Sequence, residues 1–275
     1  MGTDSAANAD VLVIGHRGAA GLWPANTLFG FERAVEAGCD LVELDVRLTA
    51  DGVPVCIHDP AVDARTEASG RVDECTLEEL KALDGAYNWR PDGERISSER
   101  EPPYRGERLE VPTLAEVFET LPEMRFLVEI KPEVEDFEPI CEVLREHGVE
   151  QRTLVTSFAR RLDQFRKCCP EIPTAAHRLE VARFVLASRL GLGYLGNPDA
   201  DTLAVPRKRY GVPILTSGFV EDAHERGRDV YAWTINDPEE MARLVELGVD
   251  GLVTDRPDLA CEVLGHGDRT RSQNL

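Results

Sequence analysis

Leu41-Val-Glu-Leu-Asp-Val-Arg-Leu48, Thr49-Ala-Asp-Gly52 and Val53-Pro-Val-Cys-Ile57 follow one another directly, and the short middle piece decides the fold. Both flanks read as strands, because β-branched and apolar residues recur there with period two. A parallel crossover needs a dozen or more residues, so four cannot connect parallel neighbours. The two strands are therefore a hairpin, and Asp51-Gly52 is a favoured type I′ turn pair. Other apolar, β-branched runs lie at residues 11–14, 126–130, 153–156, 173–176, 202–205, 230–235 and 252–254. Helix-period segments alternate with most of them, at 26–37, 113–121, 136–147, 159–168 and 238–247. Nine candidate strands minus one hairpin arm leave eight parallel strands. That pattern predicts a TIM-type (β/α)8 barrel with a β-hairpin arm after its second strand. No glycine-rich dinucleotide fingerprint follows the first strand, which sets an open doubly wound sheet second.

Working outward, the rhythm breaks between residues 60 and 112, where 90–103 is polar and proline-rich. An insertion there is expected over the barrel mouth as a lid or rim. Residues 1–264 read as a single barrel domain, and 265–275 as a disordered tail. The chain has 275 residues with 51 Asp+Glu against 31 Lys+Arg, a net charge of −20. So acidic a surface excludes nucleic acid as a partner, since phosphate backbones need a basic footprint. Lysines occur only at 81, 131, 167 and 208; this acidic, arginine-over-lysine balance resembles proteins of salt-loving cytoplasms, and equally an ordinary acidic enzyme of a GC-rich genome. There is no 20-residue apolar run and no secretory leader pattern, so stable membrane association and secretion are not expected. Seven cysteines without metal-type spacing are expected as free, mostly buried thiols in a reducing, cytoplasmic compartment. No oligomeric state can be read.

The chemistry starts in the strand quoted first. In a barrel one strand face points inward, so Glu43 and Asp45 are expected side by side inside. Two inward carboxylates are costly unless a cation compensates them, and oxygen donors suit a hard ion such as Mg2+ or Ca2+. With a two-residue turn, Arg47 pairs Cys56 and Asp45 pairs His58, bringing His58 to the carboxylate face as an acid/base candidate. Gly15-His16-Arg17-Gly18 closes the first strand, where barrel chemistry sits. Glu129 and Lys131 alternate onto one face at the end of the 126–130 strand, adding an oxygen ligand and a cation. No Gly-x-Ser-x-Gly elbow supports a serine hydrolase. His147, His177, His224 and His266 lack convergent partners and are expected to be surface or structural residues.

Gly15-His-Arg-Gly18, Pro24-Ala-Asn-Thr27, Glu43-Leu-Asp45, Asp51-Gly52, His58-Asp59, Glu129-Ile-Lys131, Trp233-Thr-Ile-Asn236 and Thr254-Asp-Arg-Pro257 occur in this order. Together they closely resemble the glycerophosphodiester phosphodiesterase family. The resemblance implies metal-dependent hydrolysis of glycerophosphodiesters to glycerol 3-phosphate and an alcohol. It implies a divalent ion at Glu43, Asp45 and Glu129, with His16 and His58 as the acid/base pair. Arg17 and Lys131 match phosphate-holding positions, and Trp233 a substrate-lining aromatic. Ala25 stands where the family usually has Glu, and Asn26 is expected to cap the following helix. A lysophospholipase D or sphingomyelinase-like phosphodiesterase is the alternative enzyme, with a larger apolar mouth as its mark. A catalytically silent binding barrel is the alternative outside enzymes, and it would lack one of these histidines or ligands.

Overall fold

The computed structural model describes residues 11–91, 100–192 and 196–266. Strand β1 (Leu12–Gly15) lies between β2 (Leu41–Leu48) and the last strand, β10 (Gly251–Thr254), all parallel. β4 (Arg125–Ile130) and β5 (Thr153–Thr156) continue beyond β2, while β9 (Asp229–Trp233) and β6 (Thr202–Pro206) continue beyond β10. Residues 173–176 close the ring. The Val155 amide donates to Pro173 O at 3.0 Å, Ala175 N to Val155 O at 2.9 Å, and Ala176 N to Thr202 O at 2.8 Å. The predicted eighth strand is therefore present, reduced to single bridges on each side.

Period-two alternation sorts the strand residues into two apolar layers. Outward-facing Val13, Val42, Leu44, Val128, Leu203 and Leu252 join the large core beneath the helices. Inward-facing Ile14, Leu41, Leu127, Tyr231 and Val253 pack into a floor inside the barrel. One alternation further along the same strands come His16, Glu43, Glu129, Trp233 and Asp255, so the chemistry stands on an apolar floor at the C-terminal mouth. The helices form the outer layer: α1 (Leu28–Glu36), α3 (Leu114–Thr120), α4 (Glu138–Glu146), α5 (Leu162–Cys168), α6 (Arg178–Arg189), α7 (Ser217–His224), α8 (Pro238–Leu247) and α9 (Pro257–Leu264). Capping fixes several starts, as in α3, where Thr113 and Glu116 bond each other's backbone reciprocally.

The hairpin arm, β3 (Pro54–Cys56), pairs antiparallel with β2 in a register one residue off expectation. Val46 faces Cys56 and Arg47 faces Val55, instead of Arg47 facing Cys56. The loop is three residues, not two: Gly52 N bonds Thr49 O, and Gly52 takes φ 80°. That is a type I turn closed by a left-handed glycine. Asp51 favours it by accepting from Thr49 Oγ1 at 2.6 Å and from the Leu77 amide at 3.0 Å, at the start of α2 (Leu77–Lys81).

The insertion is a packed element. Val62, Val72, Leu80 and Val111 form a small apolar cluster with Val55 and Ile57 of the arm. Trp89 Nε1 donates to Ala20 O at 3.0 Å, clamping the insertion to the loop that carries His16. Pro60 borders the mouth, as expected of a rim. Residues 92–99 of the insertion and 267–275 of the expected tail lie outside the described residues. A two-stranded ribbon that the sequence pattern did not reveal, β7 (Lys208–Arg209) with β8 (Val212–Pro213), follows β6. The expectation of free thiols fails at one pair: Cys141 and Cys169 form a disulfide. Helix packing brings their Cα atoms to 6.0 Å, although 28 residues separate them. Among the described residues no helix is long and apolar enough to cross a membrane.

Candidate active site

Glu43, Asp45 and Glu129 meet as the parallel register of β2 and β4 requires, with Asp45 directly beside Glu129. Their carboxylate oxygens lie within 4.8 Å of one another, the only such trio among the described residues. Lys131 Nζ bridges two of them, 2.6 Å from Asp45 Oδ1 and 2.5 Å from Glu129 Oε1. Arg17 Nε adds a second cation 3.2 Å from Asp45 Oδ2. The outcomes diverge accordingly. Burial would raise Asp45, but Lys131 and Arg17 outweigh it and hold its carboxyl below the usual range. Glu43 is pushed up to about 7 by burial and by the neighbouring Asp45 charge. A donor set of three carboxylates, one with its charge poorly compensated, fits a hard divalent ion.

The first mouth loop is strained to deliver these contacts. Arg17, Gly18 and Ala19 all have positive φ, at 52°, 76° and 63°. A Cβ on Gly18 would meet Phe31 Cδ1 at 2.7 Å and Gly30 C at 2.9 Å, so only glycine fits. The turn points the Arg17 amide at Glu43 Oε2, 2.8 Å away. Asn26, itself at φ 55°, does not cap α1; Thr27 does, accepting from Gly30 N. Asn26 instead clasps Asp45 twice, donating Nδ2 to Oδ2 at 2.7 Å and accepting the Asp45 amide at 3.1 Å. Sequence reasoning missed this role, although Pro-Ala-Asn-Thr was among the quoted motifs.

His16 Nδ1 lies 2.6 Å from Asp255 Oδ1, on the far side of the barrel seam. Facing a carboxylate, Nδ1 carries the hydrogen, which leaves Nε2 for the cleft. Burial opposes charge on His16, but the Glu43 charge and the Asp255 hydrogen bond prevail and raise its pKa. Asp255 is in turn held by Asn236, which donates Nδ2 to Oδ2 at 2.7 Å and accepts the Asp255 amide at 2.9 Å. Burial acts against the Asp255 charge, yet bonding to His16 keeps its carboxyl below the usual range. Neither Asp255 nor Asn236 was singled out from sequence; both lay in quoted motifs, at the ends of two barrel strands, which was the available signal.

His58 also reaches the cleft, by a different route from the one expected. In the observed register Ile57 bonds Asp45 O, and the chain leaves the sheet at His58. Arg47 fixes it there: Nε and Nη2 both bind His58 O, at 3.0 and 2.8 Å, while Nη1 binds Glu133 Oε2 at 2.8 Å. His58 Nδ1 then meets Asp59 Oδ1 at 3.0 Å. Trp233 ends β9 with its ring 5.2 Å from Phe158. His16, Arg17, Glu43, His58, Glu129, Lys131 and Trp233 thus all line one cleft of about 370 Å3, which Asp45 underlies. His147, His177 and His224 lie elsewhere, bonded to Val143 O, the Leu179 amide and Asp250.

A parallel barrel with acidic ligands, cations and two aspartate-bound histidines at its C-terminal mouth is the layout of a metal-assisted phosphoryl-transfer enzyme. The sequence matches the glycerophosphoryl diester phosphodiesterase family over residues 16–259, and the chain belongs to that family. A glycerophosphodiester phosphodiesterase of Caldanaerobacter subterraneus is 33% identical over 270 residues, covering 93% of this chain and 98% of that one. One from Bacillus altitudinis is 30% identical, covering 91% and 97%. The structure also resembles that of an Oleispira antarctica phosphodiesterase in complex with the product sn-glycerol-3-phosphate. Their TM-score is 0.73 and their identity 28%, with 94% and 99% of the chains covered.

Proposed function

We propose that this protein hydrolyses glycerophosphodiesters to glycerol 3-phosphate and an alcohol, with a divalent ion, Mg2+ or Ca2+, held by Glu43, Asp45 and Glu129. The observation that carries this reading is the meeting of that carboxylate trio with two aspartate-oriented histidines in one cleft. Bound there, the ion would neutralise phosphoryl oxygens as their charge builds. Arg17 and Lys131 hold the phosphate beside it, a local cationic pair that offsets the net charge of −20. His16, its Nδ1 fixed by Asp255, takes the proton of the attacking group, water or the adjacent glycerol hydroxyl, at Nε2. His58, steadied by Asp59, gives a proton to the departing alkoxide. Trp233 borders the substrate. From the acidic composition we further infer a salt-rich cytoplasmic setting, against which only the Cys141–Cys169 pair speaks.

The test is turnover of sn-glycero-3-phosphoethanolamine with EDTA and with Mg2+, Mn2+ or Ca2+ restored. Turnover should vanish with chelator and return with metal, and Glu43→Gln should lose it. His16→Ala and His58→Ala should each cost about 10²–10⁴-fold. On a nitrophenyl ester, whose leaving group needs no proton, His58→Ala should recover most of its rate and His16→Ala should not. Losses below about tenfold for both histidines would overturn the two-histidine mechanism.

A further inference from the structure

Arg65 belongs to the insertion, at the end of a short 3-10 turn, Val62–Ala64. The loop that carries it is stitched closed at its base, where Val62 N donates to Gly70 O and Val72 N to Pro60 O, each at 3.0 Å. Asn88 fixes the turn through its backbone carbonyls. Its amide donates to Arg65 O at 3.2 Å, and its Nδ2 to Asp63 O and Thr66 O at 3.2 and 3.0 Å. The next residue is Trp89, which clamps the insertion to the loop that carries His16. The Arg65 guanidinium is thereby held at the mouth, with Nε 4.0 Å from Asp59 Oδ2, while Asp59 Oδ1 meets His58 Nδ1 at 3.0 Å. The position is a costly one for a cation. Burial and the like charge of Arg17 push Arg65 below arginine's ordinary value, and Asp59 is the chief offset.

We infer that Arg65 is a positioning residue for proton donation: through Asp59 it aims the His58 imidazole and eases the release of its Nε2 proton. The inference rests on the function proposed above and goes beyond it in giving the insertion a part in the reaction. The two histidines differ in what stands behind their aspartates. Asp255 is backed by the neutral amide of Asn236, so its full negative charge is left to favour a proton on His16. Asp59 is backed by a cation. As the bond from phosphorus to the alcohol oxygen breaks, the proton passes from His58 Nε2 to that oxygen and Nδ1 keeps its own. The His58–Asp59 pair then goes from neutral to singly negative. Arg65 stands beside the carboxylate where that charge is left, and so favours the release.

Arg65→Gln should fold, because the turn is held through backbone atoms. Its kcat on sn-glycero-3-phosphoethanolamine should fall at least about tenfold, and most of that loss should vanish on the nitrophenyl ester, whose leaving group needs no proton. An arginine that only braced the fold, or that held the phosphate as Arg17 does, would lower both rates alike. In a His58→Ala background the same substitution should cost less than about twofold, since the two residues then act as one unit. The proton spectrum gives a readout without turnover. The Nδ1 proton of His58, identified by its absence from His58→Ala, should be visible downfield in the wild type and lost to exchange in Arg65→Gln. Equal losses on the two esters, or an unchanged Nδ1 proton in Arg65→Gln, would overturn the role of Arg65. Absence of wild-type turnover on both esters would overturn the proposed function instead, and the Nδ1 proton would still decide whether Arg65 aims His58.

Discussion

Removing divalent ions should make this protein's stability fall as pH rises from about 5 to 8, and Glu43 should be the cause. Its carboxyl is pushed from an ordinary value of 4.5 up to about 7 by burial and by Asp45. A raised acid favours the folded state while protonated, so its contribution is complete below the unfolded value and is lost as pH climbs through about 7. A difference of that size corresponds to about 3 kcal/mol. For a chain of this length each kcal/mol moves Tm by roughly 2–4 °C, so the loss is about 6–12 °C. Asp45 and Asp255 are lowered instead; their contributions disappear only as pH falls below the usual aspartate range, outside this window. His16, raised by Glu43 and Asp255 against its burial, slopes the same way as Glu43. Comparison with Glu43→Gln removes the glutamate's titration together with its pull on His16, because the amide keeps an oxygen for the Arg17 amide yet does not ionise. Melting curves of both proteins in EDTA should diverge by about 6–12 °C between pH 5 and 8, with the variant the more stable. Mg2+ or Ca2+ should lift only the wild type. Parallel wild-type and variant curves across the window would refute the reasoning.

Asn26→Ala, measured by denaturant unfolding, should cost about 2–4 kcal/mol, since it removes a buried bond to the Asp45 carboxylate and another from its backbone amide, at a residue with positive φ. Gly18→Ala should cost roughly 2–4 kcal/mol, through its φ of 76° and the backbone and Phe31 contacts a Cβ would meet, and should lower kcat as the Arg17 amide moves off Glu43. Cys168 is raised to about 11 by partial burial and its bond to Glu138. Only about one thiol in a thousand is then ionised at pH 8, so alkylation followed by mass spectrometry should quicken about tenfold per pH unit, and Glu138→Gln should accelerate it at pH 8. With a net charge of −20, Tm should climb as KCl rises from low to molar; a flat curve would sever composition from salt.

The barrel was legible because its strongest signals are local. Thr49–Gly52 is too short for a crossover whatever its exact turn, so the strand count survived an error in the turn itself. That error came from Asp51, whose side chain bonds Thr49 and the start of α2, an attachment no local turn preference contains. The slip should have turned His58 away; Arg47, reaching two nitrogens to the His58 carbonyl, restored it. The inward carboxylates were legible from period two once the barrel context said which face points inside. Their partners were not: Asn26 meets Asp45 across 19 residues and Asp255 meets His16 across 239. The Cys141–Cys169 pair is likewise a product of helix packing.

The seam between β1 and β10 also orders events in time. His16 leaves the ribosome 239 residues before the carboxylate that fixes its imidazole. At cellular synthesis rates that interval is about ten to fifty seconds. During it a nascent chain can already carry Glu43, Asp45, His58 and Glu129, yet the His16 imidazole has no carboxylate to fix its tautomer or direction. The base proposed above thus takes its orientation last, with the strand that joins β9 to β1, so a chain stalled or clipped before Asp255 would carry the carboxylates and cations of the cleft beside an unoriented His16.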